Sequence, residues 1–246
     1  MTKENKIDYL LFLADSHLIL GQRNAAWCGH GPILEQDIAI TNISLDLIGQ
    51  ARNYYQYAAS LLGNNSTEDS LAYMRTEREY KNCLLVEQPN GDWAQTTLRQ
   101  FFFSTYTFFL LQQLMKGDDT TVAAIAEKAL KEVSYHKRWS AEWVIRLGDG
   151  TKESHRRTEN ALNELWRYTG ELFIASAYEK EMCIDLDSIK TEWHQTVAEV
   201  LTKATIQIPQ ESFMQKGGKT GMHTEHLGYI LSELQYMQRS YPNAEW

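Results

Sequence analysis

Apolar residues in this chain recur at intervals of three and four positions, which is the period of a helix with one buried face. No stretch of any length alternates between apolar and polar residues, as a half-buried strand would. Four prolines interrupt the pattern, and each lies beside other loop-forming residues: Pro32, Pro89, Pro209 and Pro242. Proline breaks a helix interior, so long helices are expected only between these positions. The chain is therefore predicted to be an all-α helical bundle with short polar loops.

Capping residues and glycines mark where the predicted helices begin and end. Asp92, for example, is a suitable N-cap for a helix that starts at Trp93. The predicted helices span about residues 6–22, 33–62, 71–78, 93–115, 120–147, 152–178, 187–204 and 224–240. The stretch 207–221 is predicted to be the least regular. Since no long linker or internal repeat divides the chain, residues 1–246 are predicted to form one domain.

The second predicted helix is apolar along much of its length. Its predicted buried side consists of Ile33, Leu34, Ile38, Ile43, Leu47, Ile48, Ala51, Tyr54, Tyr55 and Ala58. A polar row lies beside that side at helical spacing, and its members are Asn42, Asp46, Gln50 and Asn53. Gly49, next to the row, reduces the side-chain bulk, so another element could approach the helix closely there.

The composition excludes several functional classes. The chain has 24 Lys and Arg residues against 32 Asp and Glu residues, and its net charge of −8 argues against a nucleic-acid surface. Residues 1–8 carry charges where a secretory signal would be apolar. The most apolar run, Phe101–Leu111, is too short to span a bilayer and is predicted to be a buried helix. No nucleic acid and no membrane are therefore expected as partners.

The cysteines give no sign of a metal site or of a disulfide framework. Cys28, Cys83 and Cys183 are far apart and form no C-x-x-C pair. A reduced, cytoplasmic setting is therefore expected.

Two helical segments lie where a di-iron bundle would carry metal ligands. Such a site requires a Glu-x-x-His on each of two helices and a Glu from each of two others. At that spacing this chain has Leu47 with Gln50 on one helix, and Val133 with His136 on the other. An amide oxygen is a weak, neutral ligand, and an aliphatic side chain is none. The sequence therefore predicts no di-iron site in this chain.

The polar residues near these positions have two interpretations. Asp46 and Gln50 could be an altered metal site, but a hydrogen-bonded row inside a bundle or at a contact between subunits is favoured. Glu132 and His136 lie four residues apart on one helix face and could chelate a metal. An internal ion pair between them is favoured, because one such pair supplies two ligands at most.

Residues 222–228 contain His223 and His226 with Glu225 between them, which resembles half of a metal site. The favoured interpretation is a helix N-terminus capped by Thr224, with Glu225 stabilised by the helix dipole.

The segment Gly217–Gly221 contains Gly-Lys-Thr, but Met214 stands where a phosphate-binding loop needs its first glycine. It also follows no strand, so it is not predicted to be a nucleotide site. The alternative that this segment is a mobile basic loop that contacts a partner or a phosphate group is left open.

The sequence Trp27-Cys28-Gly29-His30 could suggest a thiol–imidazole pair. Without a third group to orient the imidazole, a turn that packs its tryptophan is favoured.

Together these segments resemble a known family over nearly the whole chain. The matching stretches are residues 27–30, 43–53, 84–91, 131–136 and 221–228. They resemble the PaaC family, whose members are subunits of ring-1,2-phenylacetyl-CoA epoxidase, also called phenylacetate-CoA oxygenase. The resemblance implies a ferritin-like fold with additional helices and a place in a multicomponent monooxygenase of aerobic phenylacetate catabolism.

The resemblance also implies partners. In such systems a sister subunit holds the di-iron site and binds phenylacetyl-CoA, and the PaaC-type chain forms heterodimers with it that assemble further. The system is completed by an iron–sulfur flavin reductase, which takes electrons from NADPH, and by a small bridging subunit. On the first helix, His17 stands where the sister subunit would have a ligand Glu. No catalytic, cofactor-binding or metal residue is assigned to this chain.

The leading hypothesis is a structural, non-catalytic subunit that supports and positions the di-iron subunit. The alternative is a metal-binding oxygenase subunit with its own atypical site at Asp46, Glu132 and His136, and a free-standing helical scaffold is a third. The aromatic helix Phe101–Leu111 and the loop Gly217–His226 are expected to face the partner.

Overall fold

The computed structural model describes residues 2–182, 184–209, 213–241 and 244. Within them the chain is helical and contains no strand, which confirms the all-α prediction. The α-helices are α1 (Lys3–Ala25), α2 (Leu34–Leu62), α3 (Glu68–Tyr73), α4 (Leu84–Glu87), α5 (Trp93–Leu114), α6 (Thr120–Gly148), α7 (Lys152–Leu165), α8 (Leu186–Lys203), α9 (Glu225–Leu234) and α10 (Tyr236–Ser240). Cys183, Pro242 and residues 210–212 of the stretch predicted to be irregular lie outside the described residues.

Most predicted helix boundaries are confirmed within a few residues. The helix predicted over 71–78 already ends at Tyr73, and the helix predicted over 152–178 is wrong beyond α7. The chain turns there into two 3₁₀ segments, Trp166–Tyr168 and Gly170–Phe173. Gly170 lies so close to another segment that a Cβ atom would be 2.7 Å from Cγ of Met214. That approach is a tertiary contact, which helical periodicity does not report.

The contacts between residues divide the chain into two compact units. Unit 1 contains Met1–Pro89, Ser176–Met182 and Lys216–Trp246, and unit 2 contains Asn90–Ala175 and Cys183–Gln215. The sequence prediction that residues 1–246 fold as one domain stays a prediction.

In unit 1, α1 and α2 form an antiparallel pair. Ser44 Oγ donates a hydrogen bond to the carbonyl of Gly21 at 2.7 Å. Further along the pair, His17 on α1 packs against Tyr54 on α2, with ring centroids 5.9 Å apart and ring planes tilted by 48°. Gly21 permits the close approach, because a Cβ atom there would be 3.0 Å from Cγ1 of Ile48.

In unit 2, α5 and α6 form a second antiparallel pair. Trp93 at the start of α5 packs edge-on against Trp143 near the end of α6, with centroids 5.9 Å apart. Toward the other end, the ammonium group of Lys137 lies 4.1 Å from the ring centroid of Phe108. Each unit thus contains one pair of long helices, and long helices of this kind are characteristic of ferritin-like proteins. Among the described residues, no helix is both long enough and apolar enough to cross a membrane.

The prediction for the buried side of α2 is only partly right. Six of the ten predicted residues are buried, and these are Ile43, Leu47, Ala51, Tyr54, Tyr55 and Ala58. The other four, Ile33, Leu34, Ile38 and Ile48, are exposed. The apolar residues of α2 therefore lie on two faces, and only one of these packs inside the chain.

Candidate functional site

On α2, in unit 1, the motif positions are buried but carry no metal-ligand set. Leu47 and Gln50 are both almost fully buried, whereas Asp46 is half-buried and Asn42 is exposed. The predicted polar row therefore runs from the surface into the core. Only part of it lies inside the fold.

On α6, in unit 2, Val133 and His136 are also buried. Ser140 Oγ donates a hydrogen bond to the backbone carbonyl of His136 at 2.6 Å, and Glu132 is half-buried. The predicted ion pair between Glu132 and His136 stays a prediction.

The donor set at these positions does not fit a di-iron centre. Such a centre is built from four carboxylates and two imidazoles, and the side chains of Leu47 and Val133 contain no donor atom. In the part of the chain that the structure describes, no group of three His, Cys, Asp or Glu side chains is placed to hold a metal ion. His17 is buried, and its Nδ1 donates a hydrogen bond to the carbonyl of Leu13 at 2.7 Å.

A highly connected polar site in unit 1 is the carboxylate of Glu87 at the end of α4. Glu87 is fully buried. Its Oε2 accepts from Asn82 Nδ2 at 2.8 Å and from His223 Nδ1 at 2.8 Å. Its Oε1 accepts from the backbone N–H of Thr224 at 2.6 Å and from Thr224 Oγ1 at 2.7 Å. This carboxylate therefore anchors the segment that enters α9, and we call it with its partners the Glu87 cluster.

The Glu87 cluster tests two interpretations of residues 222–228, the helix cap at Thr224 and the half metal site at His223. Thr224 is the N-cap of α9 by position, but its hydroxyl donates to Glu87 and makes no capping bond, so the predicted side-chain cap is wrong. His223 uses Nδ1 toward Glu87 and Nε2 toward the carbonyl of Tyr80 at 2.9 Å. Both ring nitrogens are engaged by acceptors, so His223 cannot bind a metal in this arrangement.

The same geometry favours the charged form of His223. A neutral imidazole has one N–H, whereas two acceptors are satisfied only by two donors, so this arrangement stabilises the imidazolium. Burial alone would lower the pKa of His223, but the hydrogen bond and the negative charge of Glu87 outweigh burial and raise this pKa above its usual value. The side chains of the pair are 3% and 0% exposed, so solvent screens them little.

We expect the free energy of unfolding to fall as the pH rises through the folded-state pKa of His223. The elevated pKa means that the folded state binds this proton more tightly than the unfolded state does. The stabilisation is complete below about pH 6.5, the usual pKa of histidine, and is lost at higher pH. Urea unfolding followed by circular dichroism between pH 6 and 9 would measure this slope, with His223→Gln as the control. Equal slopes for the two proteins would contradict the assignment.

The Gly-Lys-Thr segment is not a basic surface loop. Lys219 is buried, and its ammonium group lies 2.8 Å and 3.0 Å from the two carboxylate oxygens of Glu179. It also lies 4.9 Å from the ring centroid of Phe12. Lys219 is therefore not available to bind a phosphate group or a partner, because its charge is neutralised inside unit 1. The open possibility that the loop itself contacts a partner stays a prediction.

The Trp27–His30 segment forms a turn, as favoured. His30 Nδ1 lies 3.1 Å from the backbone carbonyl of Cys28, so the imidazole ring forms a hydrogen bond with the backbone. Cys28 is exposed and Trp27 is half-buried. The carboxylate of Asp37 accepts from the N–H of Gly31 at 2.9 Å, and such backbone hydrogen bonds lower the pKa of Asp37.

None of the buried ion pairs described in unit 1 was predicted from the sequence. A third such pair joins Asp15 on α1 and Arg75 after α3. Asp15 is fully buried and also accepts from Tyr55 Oη at 2.6 Å and from the N–H of Lys81 at 2.8 Å. Burial would lower the pKa of Arg75, but the charge of Asp15 outweighs it and raises this pKa. A lone carboxylate within the apolar stretch of α1 is the signal that could have revealed the site.

Comparison with known proteins agrees with the resemblance seen in the sequence. The profile of the family described as phenylacetic acid catabolic protein matches residues 1–246. The chain belongs to this family. A curated relative, the C subunit of 1,2-phenylacetyl-CoA epoxidase from Escherichia coli (strain K12), is 46% identical over 243 residues. That similarity covers 97% of this chain and 98% of the relative.

Two of the stretches that carry the family resemblance meet in the structure. Residues 84–91 supply Glu87, and residues 221–228 supply His223 and Thr224, which bind it. In this member of the phenylacetic acid catabolic protein family, these two stretches therefore have a structural role in unit 1.

Proposed function

We propose that this chain is a structural, non-catalytic subunit of a multicomponent monooxygenase that epoxidises the ring of phenylacetyl-CoA. In this proposal it supports and positions a separate di-iron subunit, and it works in the cytoplasm with an NADPH-dependent reductase and a small bridging subunit. The observation that carries the proposal is the presence of aliphatic Leu47 and Val133 at positions where a di-iron bundle needs carboxylates. The similarity to a subunit of 1,2-phenylacetyl-CoA epoxidase supports the assignment of this reaction to the proposed complex.

The buried ion pairs of unit 1 support a scaffold role. Each one joins segments that are distant in the sequence: Asp15 with Arg75, Glu87 with His223, and Glu179 with Lys219. Removing one partner of a buried pair leaves an uncompensated charge, so such pairs oppose local opening. A rigid scaffold can hold a partner's catalytic groups in their productive geometry, which a flexible one cannot.

We expect the purified chain to contain far less than one iron per molecule, and to be required for epoxidation when it is combined with the di-iron subunit. The reason is that a half-buried carboxylate and a single imidazole cannot hold two irons. Iron and manganese would be measured by mass spectrometry, with parallel measurements on the di-iron subunit. Epoxide formation from phenylacetyl-CoA would be measured with and without this chain, in the presence of the reductase and NADPH.

His136→Gln and Asp46→Asn are the informative variants. If the chain is structural, both variants that fold should support epoxidation like the original protein. Near-stoichiometric metal that is lost in His136→Gln would instead establish the alternative, an atypical metal site in this chain.

A further inference from the structure

The first half of α2 carries a second apolar face that is largely exposed, although Ile48 at its end also lies against Gly21 of α1. Four aliphatic side chains on it are exposed by 36–72%, and with a half-buried threonine they form what we call the α2 stripe: Leu34, Ile38, Thr41, Leu45 and Ile48. Their spacing is four, three, four and three residues, which is the repeat by which one helix packs along another. From Leu34 to Ile48 the stripe is about 21 Å long.

The stripe is separate from the face that packs inside unit 1. Ile43, Leu47 and Tyr54 point toward the core and are fully buried. At 100° per residue, the stripe from Leu34 to Leu45 lies on the opposite side of the helix, and Ile48 lies at its edge, next to Gly21 of α1. A contiguous row of exposed aliphatic side chains on one helix is typical of a surface that binds another protein.

The charges beside the stripe restrict what can bind there. Residues 34–48 contain three acidic residues and no basic one: Glu35, Asp37 and Asp46. The single basic residue of α2, Arg52, lies 3.3 Å from Glu68 in an ion pair. A second copy of this chain, with its net charge of −8, would bring like charges together. A helix whose apolar residues are flanked by lysine or arginine would be complementary.

Gly49 leaves open space beside the stripe into which another chain could pack. It is exposed beside the stripe, and a Cβ atom there would have no described atom within 4 Å. Glycine is unfavourable in a helix interior. At Gly21 the missing side chain admits Ile48 of the same chain, whereas at Gly49 the space is left open. A partner's backbone can approach α2 closely at that point.

We propose that the α2 stripe binds a helix of the di-iron subunit, one whose aliphatic residues are flanked by lysine or arginine side chains. This inference rests on the proposed function, which supplies such a partner. The aliphatic stripe provides the buried contact, and the acidic border selects the charge of the partner. The helix Phe101–Leu111, one of the two surfaces expected from the sequence, offers little apolar surface to a partner, because Phe101, Phe102, Phe103, Leu110 and Leu111 are buried in unit 2. The expectation for the loop Gly217–His226 stays a prediction.

The test measures binding of this chain to the di-iron subunit, used as the probe, by sedimentation and by biosensor kinetics. Ile38→Glu and Leu45→Glu should each weaken binding by about 30-fold or more, the size expected for a central interface residue. Tyr229→Glu is the matched control, because Tyr229 is 71% exposed and lies on α9, away from the stripe. It should leave the affinity unchanged.

Two further variants separate binding from folding. Gly49→Ala should raise the Tm of the isolated chain by about 2–4 °C, because alanine favours the helix, and should nevertheless weaken binding. Glu35→Lys should weaken binding and reduce its dependence on salt concentration. If Gly49 had no role at an interface, Gly49→Ala would raise the Tm without weakening binding. If Glu35 had none, Glu35→Lys would change neither the affinity nor its dependence on salt.

The outcomes are distinguishable. If the unmodified chain fails to bind the di-iron subunit, both the proposed function and this inference fail. If it binds and the stripe variants bind equally well, the inference is overturned and the proposed function stands. If the chain instead forms a homodimer that Leu45→Glu dissociates, the occupant is a second copy and the proposal is wrong.

Discussion

Asp15→Asn should lower the free energy of unfolding by about 3–5 kcal/mol, the usual cost of removing one partner from a buried ion pair. The carboxylate of Asp15 is fully buried and binds the guanidinium of Arg75, which also donates to the carbonyl of Leu71 at 2.6 Å. The amide keeps the shape of the side chain but leaves the charge of Arg75 uncompensated. Urea denaturation followed by circular dichroism would measure the difference.

Two controls test the cause of this loss. Glu68→Gln removes a partner from the exposed Arg52–Glu68 pair and should cost less than about 1 kcal/mol, because water screens that pair. The double variant Asp15→Asn with Arg75→Met removes the unpaired charge and should recover part of the stability. A loss in Asp15→Asn no larger than in Glu68→Gln would show that the buried pair does not stabilise unit 1.

Glu87→Gln should also lower the free energy of unfolding by about 3–5 kcal/mol near pH 6. At that pH the imidazolium of His223 is present, and the substitution leaves it buried without its counter-charge. The loss should be smaller at pH 9, because less of His223 carries its proton at the higher pH in the unmodified protein as well. Urea denaturation of both proteins at the two pH values would measure this difference.

Glu77→Gln is the matched control, because Glu77 is an exposed glutamate of the same unit. It should change the stability little at either pH. A loss in Glu87→Gln that is the same at pH 6 and pH 9 would contradict the charged form of His223.

These two predictions concern charged side chains that stabilise the fold. Some of the charged residues of this chain lie in sequence motifs that suggest a catalytic or ligand-binding site. His223 and Lys219 both belong to sequence motifs that suggest a ligand site, and both are committed to buried carboxylates. This explains why motif spacing alone was a poor guide here. The same residue types serve metal binding and internal ion pairs, and only their surroundings distinguish the two uses.

The absence of a di-iron ligand set could be predicted from residue identity. Leucine and valine at positions 47 and 133 lack donor atoms whatever the fold around them is. The internal contacts of Asp46, Glu132 and His136 could not be predicted in the same way, because each depends on side chains that are distant in the sequence.

The sequence by itself determined the all-α fold, most helix boundaries and the family, because periodicity, capping residues such as Asp92 and motif identities are local properties. Only the tertiary structure decided which apolar face of α2 is covered and which side chains neutralise one another. Leu45 and Leu47 are both leucines of one helix, yet one is exposed and the other buried. Glu87 and His223 meet although 136 positions separate them. Burial and ion pairing are set by long-range packing, which the local sequence pattern does not contain.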